Sequence, residues 1–413
     1  MNSTTLRQGA LRDTPAHVLK AAPAAARTLM RLLARLQHGQ LTVQWPGGAL
    51  QSFGARDATP YAVLHVHDWA VCGAALQSGD IGFAEAYIAG RWSTPDLTAL
   101  LQVLVANRGA LDAAIHGHWA GRLVYRLRHL LRRNTRANSR RNIHAHYDLG
   151  NAFYTQWLDE SMNYSSAWFD GDATLSLPAA QHAKVRRALG MARVQCGQRV
   201  LEIGCGWGAL AEKATTEFGA HVTGVTLSTE QLEFARQRLA TAGQAERADL
   251  RLQDYRDITD APFDAICSIE MIEAVGREYW PTYFRTVARL LKPGGRACIQ
   301  SIVIQDALFE RYLRSTDFIQ QYIFPGGCLP SPSAFRDQAQ AAGLRVEDEL
   351  AFGPDYGRTC RLWREAFLAR RSEVLAQGFD ERFVRTWEFY LAYCEAGFLQ
   401  GDVDVMQFTL VRD

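Results

Sequence analysis

The sequence predicts an α/β protein with a doubly wound sheet in its C-terminal part and a smaller α+β unit before it. Three observations carry that expectation. The stretch Val200-Leu-Glu-Ile-Gly-Cys-Gly-Trp-Gly208 joins a short apolar run of buried-strand type to three glycines, and residues 209–218 then have helical character. Beyond it, apolar strand-like runs alternate with helical stretches of about ten to fifteen residues, the pattern of a parallel sheet with helices on both faces. Before it, residues 25–116 mix short strand and helix patterns and contain no catalytic cluster.

The 413 residues suffice for two domains. A hydrophobic share of 48% and a charged share of 21% are those of a globular chain. The formal net charge of +2 favours no partner by sign. Eight cysteines are scattered with no C-x-x-C and no Cys/His cluster. That argues for free thiols in a reducing compartment, and no metal site is expected. No apolar run reaches the roughly eighteen residues a spanning helix needs. Residues 1–24 hold Arg7, Arg12 and Lys20 but no compact apolar core, so they are expected to be a mobile tail rather than a signal peptide.

In the first unit, residues 29–36 suggest a helix, and residues 40–45 and 61–66 suggest strands around the turn Pro46-Gly-Gly48. Residues 71–89 return to helix with a break at Gly79-Asp80, and Trp92 closes the unit. Residues 117–145 differ. Leu123, Val124, Leu127, Leu130 and Leu131 recur at helical spacing, and arginines from Arg122 to Arg141 crowd the rest with no acid among them. About eight uncompensated charges on an amphipathic segment suit an anionic lipid surface. A solvated linker helix is the alternative. Nucleic acid is not expected, for want of interleaved aromatics.

The second domain is expected over 146–413. Residues 181–191 form a helix before the glycine-rich turn. A second strand covers 221–226, and Ser228 caps a helix through Leu239. Residues 250–255 end a third strand, 263–269 form a fourth, 279–291 a helix and 296–304 a fifth strand. The run from Trp387 to Phe398 is expected to be a C-terminal helix packed on the sheet. Ligands of such sheets sit beyond the carboxyl ends of the strands, which gathers 204–208, Thr226, Gln253, Asp254, 269–273 and Gln300 around one crevice.

The glycines after the first strand run G-x-G-x-G with Glu202 just before them, not the G-x-G-x-x-G of dinucleotide sites. This resembles motif I of class I S-adenosylmethionine (SAM) methyltransferases. An NAD(P) turn and a purely structural turn are the alternatives.

A wider set of motifs narrows the choice. His146-Tyr-Asp-Leu-Gly150, Tyr164-Ser165, the 204–208 glycines, Gly224-Val-Thr-Leu-Ser228, Leu252-Gln-Asp-Tyr-Arg-Asp257 and Tyr322-Ile-Phe-Pro-Gly-Gly-Cys-Leu-Pro330 together resemble the cyclopropane fatty acid synthase family. The resemblance runs from His146 to the C-terminus and, through Gly82-Phe-Ala-Glu-Ala-Tyr87 and Gly90-Arg-Trp92, more weakly over the first unit. It implies transfer of the SAM methyl group to the cis double bond of a phospholipid acyl chain. It places Tyr164, Ser165, Gly204 and Gly206 against the amino-acid end of SAM, Thr226, Leu227 and Gln231 along the ribose, and Gln253 and Asp254 at the adenine.

Alkene attack on the sulfonium methyl leaves a carbocation, so the site must be apolar yet offer a base. In the family, bicarbonate is that base. The resemblance gives His146, Glu273 and Tyr356 as its ligands, Tyr356 in a turn that exposes the ring. Ser166 and Gln300 stand where the family has Cys and His. Both can hydrogen-bond an anion, but Gln300 cannot titrate. Proton loss from the new methyl closes a cyclopropane, and other fates of the cation give methyl- or methylene-branched chains. The resemblance also puts residues 318–324 in the acyl-chain wall.

The implied partners are an unsaturated phospholipid and an anionic membrane surface, with the protein cytoplasmic and peripheral at the inner membrane face. A homodimer is left open. Two other functions fit the same sequence: a small-molecule N-methyltransferase of this fold, and an inert SAM- or lipid-binding protein.

Overall fold

The computed structural model describes residues 22–115 and 149–413. The expected tail as far as residue 21, the basic segment at 117–145 and His146 lie outside the described residues. The chain divides into two compact units, Met1–Tyr125 with Asp380–Gln400, and Arg126–Phe379 with Gly401–Asp413.

The first unit holds α1 (Ala24–Leu33), β1 (Gln40–Gln44), β2 (Leu50–Gly54), β3 (Tyr61–Val66), α2 (Ala70–Ile88), β4 (Trp92–Ser93), α3 (Leu97–Ala106) and α4 (Arg108–Ile115). Its sheet runs β2-β1-β3-β4. The Pro46-Gly-Gly48 turn makes a hairpin of β1 and β2, with Gly48 N–H bonded to the Trp45 carbonyl. β2 was not foreseen, because Phe53 is its one buried side chain and no apolar alternation shows. α2 breaks at Gly79 (φ 60°), as the sequence suggested. Trp92 is fully buried, stacked on Phe83 at 4.2 Å.

The helix Glu381–Gln400 corrects one expectation. It belongs to this first unit, where it packs against α2 and α3. Its acids meet hydroxyls there: Tyr87 donates to Glu388 and Thr98 to Glu395, each at 2.7 Å. Burying Glu395 elsewhere without such a donor would leave a costly unpaired charge.

The second unit is built on a seven-stranded sheet of order β10-β11-β9-β8-β5-β6-β7. Its strands are β5 (Arg199–Ile203), β6 (His221–Thr226), β7 (Ala248–Leu252), β8 (Phe263–Ile269), β9 (Leu291–Ile304), β10 (Leu344–Ala351) and β11 (Val403–Arg412). From β7 to β9 neighbours are parallel, but β11 runs antiparallel to β9 and β10 antiparallel to β11. The sheet is therefore mixed, not wholly parallel. Side chains alternate across it. Leu201, Ile266, Ala297 and Ile299 join one core, with Phe335 stacked on Phe408 at 3.9 Å. Val200, Ala265, Cys267 and Cys298 join the other, beneath α5 (Leu177–Met191), α6 (Ala209–Thr216) and α7 (Thr229–Thr241). Each large apolar side chain so buried contributes about 1.5–3 kcal/mol.

The winding reverses between β5 and β8, because β5 pairs with β6 on one side and β8 on the other. A crevice opens at such a switch point beyond the strand ends. The loops after β5, β6, β7, β8 and β9 all feed it.

Candidate active site

The turn after β5 is shaped to let a ligand approach the backbone. Gly206 has φ 49°, and a Cβ added there would meet no protein atom within 4 Å. A Cβ on Gly204 would instead strike Met271 at 2.9 Å, which brings this turn against the loop after β8. A Cβ on Gly208 would strike Ala235 at 2.9 Å, so of the three glycines of this turn Gly206 alone borders open space. At the end of β6, Thr226 Oγ1 donates to Gln231 Oε1 at 3.0 Å, and Ser228 caps the helix that carries Gln231. Leu227 lies between them.

Gln253 and Asp254 follow β7 as expected, but their side chains turn into their own loop. Gln253 donates to the Asp257 carbonyl at 2.9 Å, and Asp254 gives both carboxylate oxygens to Arg256. Tyr164 sits in an aromatic cluster, 5.4 Å from Tyr154 and 5.5 Å from both Trp157 and Trp363. Its neighbour Ser165 accepts a hydrogen bond from Lys184 Nζ. Lys184 is wholly buried on α5, and burial pushes its ammonium down to about 8. Sequence reading passed over Lys184 because it sits in an ordinary helical pattern.

The centre of the site is a residue outside the expected ligand set. Glu270 follows β8 at φ 50°, with its side chain half-buried. Oε1 accepts from the Ser166 backbone N–H at 2.8 Å and from Gln300 Nε2 at 2.7 Å. Oε2 accepts from the Tyr356 hydroxyl at 2.6 Å. Three of the positions assigned to an anion thus converge on a carboxylate of the chain itself. Burial raises the Glu270 carboxyl, while Lys184 and these donors pull it down.

Two details depart from expectation. Ser166 contributes its backbone, since its hydroxyl donates to the Ala167 carbonyl. Tyr356 is not exposed on a turn but buried in the first turns of α8 (Gly353–Ala369), because Pro354 opens a helix here rather than a loop. The sequence hint for Glu270 was its place three residues before Glu273.

Glu273 lies in the short turn Ile272–Ala274. Oε1 accepts from Ile302 N–H at 2.5 Å, and Oε2 is buried with no hydrogen-bond partner among the described residues. Burial, with the charge of Glu270 adding to it, pushes its carboxyl up to about 8. Unsatisfied and raised, it is a group poised toward a bound molecule. Apolar residues close the surroundings. Phe318 is buried and stacked on Tyr322 at 5.2 Å, Phe324 lies 6.4 Å from Tyr164, and Cys328 N–H bonds to the Glu273 carbonyl.

Residues 134–408 match the family model described as mycolic acid cyclopropane synthetase. The chain belongs to that family. It is 42% identical to the tuberculostearic acid methyltransferase UfaA1 of Mycobacterium tuberculosis, over 98% of this chain and 96% of that one. It is 35% identical to the cyclopropane-fatty-acyl-phospholipid synthase of Escherichia coli K12, over 82% and 84%. The mycolic acid cyclopropane synthase CmaA1 complexed with SAH and CTAB aligns with a TM-score of 0.62 and 32% identity, over 66% of this chain and 97% of that one. The protein is a SAM-dependent methyltransferase of a family that acts on lipids. The turn after β5 fits that cofactor in one respect: at Gly206 it leaves the backbone open to a close approach.

Proposed function

We propose that this enzyme methylates the double bond of an unsaturated phospholipid acyl chain and that Glu270, not bicarbonate, receives the departing proton. SAM supplies the methyl group as an electrophilic sulfonium. The alkene electron pair forms the new C–C bond and leaves a cation on the adjacent carbon. A hydride from the methylated carbon moves to that cation. A proton then leaves the methyl group to Glu270 Oε2, and its electron pair closes a methylene branch.

The observation that carries this reading is the carboxylate of Glu270 held by Ser166 N–H, Gln300 and Tyr356. A fixed anion in a dry, aromatic-walled site stabilises the cation and accepts its proton. Glu273, raised and unsatisfied, adds a second carboxyl beside it. The branched product is supported by the relative that spans nearly the whole chain, which is named a methyltransferase. A basic stretch without acids from Arg122 to Arg141 supports lipid access from an anionic, inner-face membrane surface. No described helix is long and apolar enough to cross a membrane.

The test is fatty-acid analysis of a host lacking its own cyclopropane synthase. Expression should add an acyl chain heavier by one CH2, with olefinic methylene protons in its NMR spectrum. Ring protons instead would overturn the branched product. An unchanged lipid profile, with methyl transfer to a soluble amine, would overturn the lipid reading.

A further inference from the structure

A chain of side-chain amides leads away from Glu270 through the sheet. Gln300 on β9 and Gln407 on β11 are cross-strand partners, both wholly buried. Gln407 Nε2 donates to Gln300 Oε1 at 3.0 Å and to the Lys184 carbonyl at 3.3 Å. Gln407 Oε1 accepts from Arg187 at 2.6 Å. Arg187 stands one turn beyond Lys184 on α5, and its other nitrogen pairs with Asp348 at 3.0 Å. Its side chain is 14% exposed and that of Asp348 is 41% exposed, so this end of the chain reaches the surface.

A guanidinium only donates. Turning Gln407 over would set an amide NH2 against Arg187 and an oxygen against two other oxygens. Gln300 is locked in the same way, because Gln407 presents it with NH2. Gln300 must then offer its own NH2 to Glu270. The Ser166 N–H is likewise a donor only. Both contacts on Glu270 Oε1 are therefore groups that cannot accept a proton.

We propose that Arg187 is a positioning residue for the methyl transfer. Through Gln407 and Gln300 it holds Glu270 Oε1 between two obligate donors. That confines protonation of the carboxyl to Oε2, beside the Tyr356 hydroxyl. The proton taken from the substrate thereby has one destination. Glu270 is also faced by Lys184 from α5 and by Glu273 from the same loop, and Arg187 is faced by Asp348 and lies near Cys298. All of these stay in place when the amide chain is broken.

The inference rests on Glu270 as the reacting base, so its test is read without turnover. Infrared pH titration of the lipid-free protein follows the carboxylic-acid C=O band that disappears in Glu270→Gln. Arg187→Met removes the charged donor on Gln407 Oε1, leaving the weak Cys298 thiol there, and should raise the midpoint of that band by about one pH unit. Arg187→Lys keeps a donor toward Gln407 and should leave the midpoint within a few tenths of a unit of the unaltered protein. In a Gln300→Met background, Arg187→Met should add nothing further. If Arg187→Met does not fold, Gln407→Met breaks the same chain and must give the same rise. An unmoved midpoint, or equal shifts with and without Gln300, would overturn the relay. A protein that shows the shift but never methylates lipid would leave the relay standing and refute the function.

Discussion

The Tyr356 hydroxyl donates to Glu270 Oε2 at 2.6 Å, joining two residues 86 positions apart at the end of the sheet. Tyr356→Phe keeps the ring among its aromatic neighbours and removes that one donor. A hydrogen bond to a charged group contributes about 1.5–3 kcal/mol, so kcat should fall roughly ten- to hundredfold. SAM affinity by calorimetry should not change. A variant of full activity would show that Oε2 needs no partner during turnover.

Gly206→Ala isolates the cofactor site. The new methyl meets no protein atom, and the positive φ costs about 1–2 kcal/mol of stability. SAM affinity should drop more than tenfold, while thermal unfolding shifts by only a few degrees. Unchanged affinity would remove the glycine turn from cofactor binding.

Glu273 links activity to stability. Its folded value of about 8 lies above the ordinary 4.5. The folded state then holds a proton that the unfolded chain releases. That stabilising contribution is complete below about pH 4.5 and is lost as pH rises through about 8. Glu273→Gln stays neutral throughout. It should raise the Tm by about 5 °C or more near pH 9, barely change it near pH 4, and still lose most of its activity. Parallel Tm curves for the two proteins would contradict the raised value.

Vesicle binding tests the arginine-rich segment. Replacing Arg132, Arg133, Arg140 and Arg141 with Gln removes about 1 kcal/mol per residue, up to roughly a thousandfold in partitioning onto anionic vesicles. Raised salt should act in the same direction. Equal binding of the unaltered protein to neutral and anionic vesicles would defeat the idea.

Local pattern disclosed much of this molecule. Apolar runs marked β5, β6 and β8, the glycines marked the turn that borders open space, and Ser228 marked its helix start. What stayed hidden depends on long-range pairing. The antiparallel β10 and β11 edge, and the helix Glu381–Gln400 in the first unit, are decided by partners far away in sequence. Glu270 was overlooked for the same reason, since its donors are 104, 30 and 86 residues distant. Gln300 read as a lost titratable ligand. In the structure it is the donor that a carboxylate at Glu270 requires.

The most direct test of that carboxylate is the response of turnover to bicarbonate. In carbonate-free buffer the unaltered enzyme should methylate lipid at its full rate, and added bicarbonate should not raise it. Glu270→Gly suits the positive φ at that position and empties the space between Ser166, Gln300 and Tyr356. Its rate should fall at least a hundredfold and recover in part when bicarbonate is supplied. An unaltered enzyme that stalls without bicarbonate and revives with it would contradict the account.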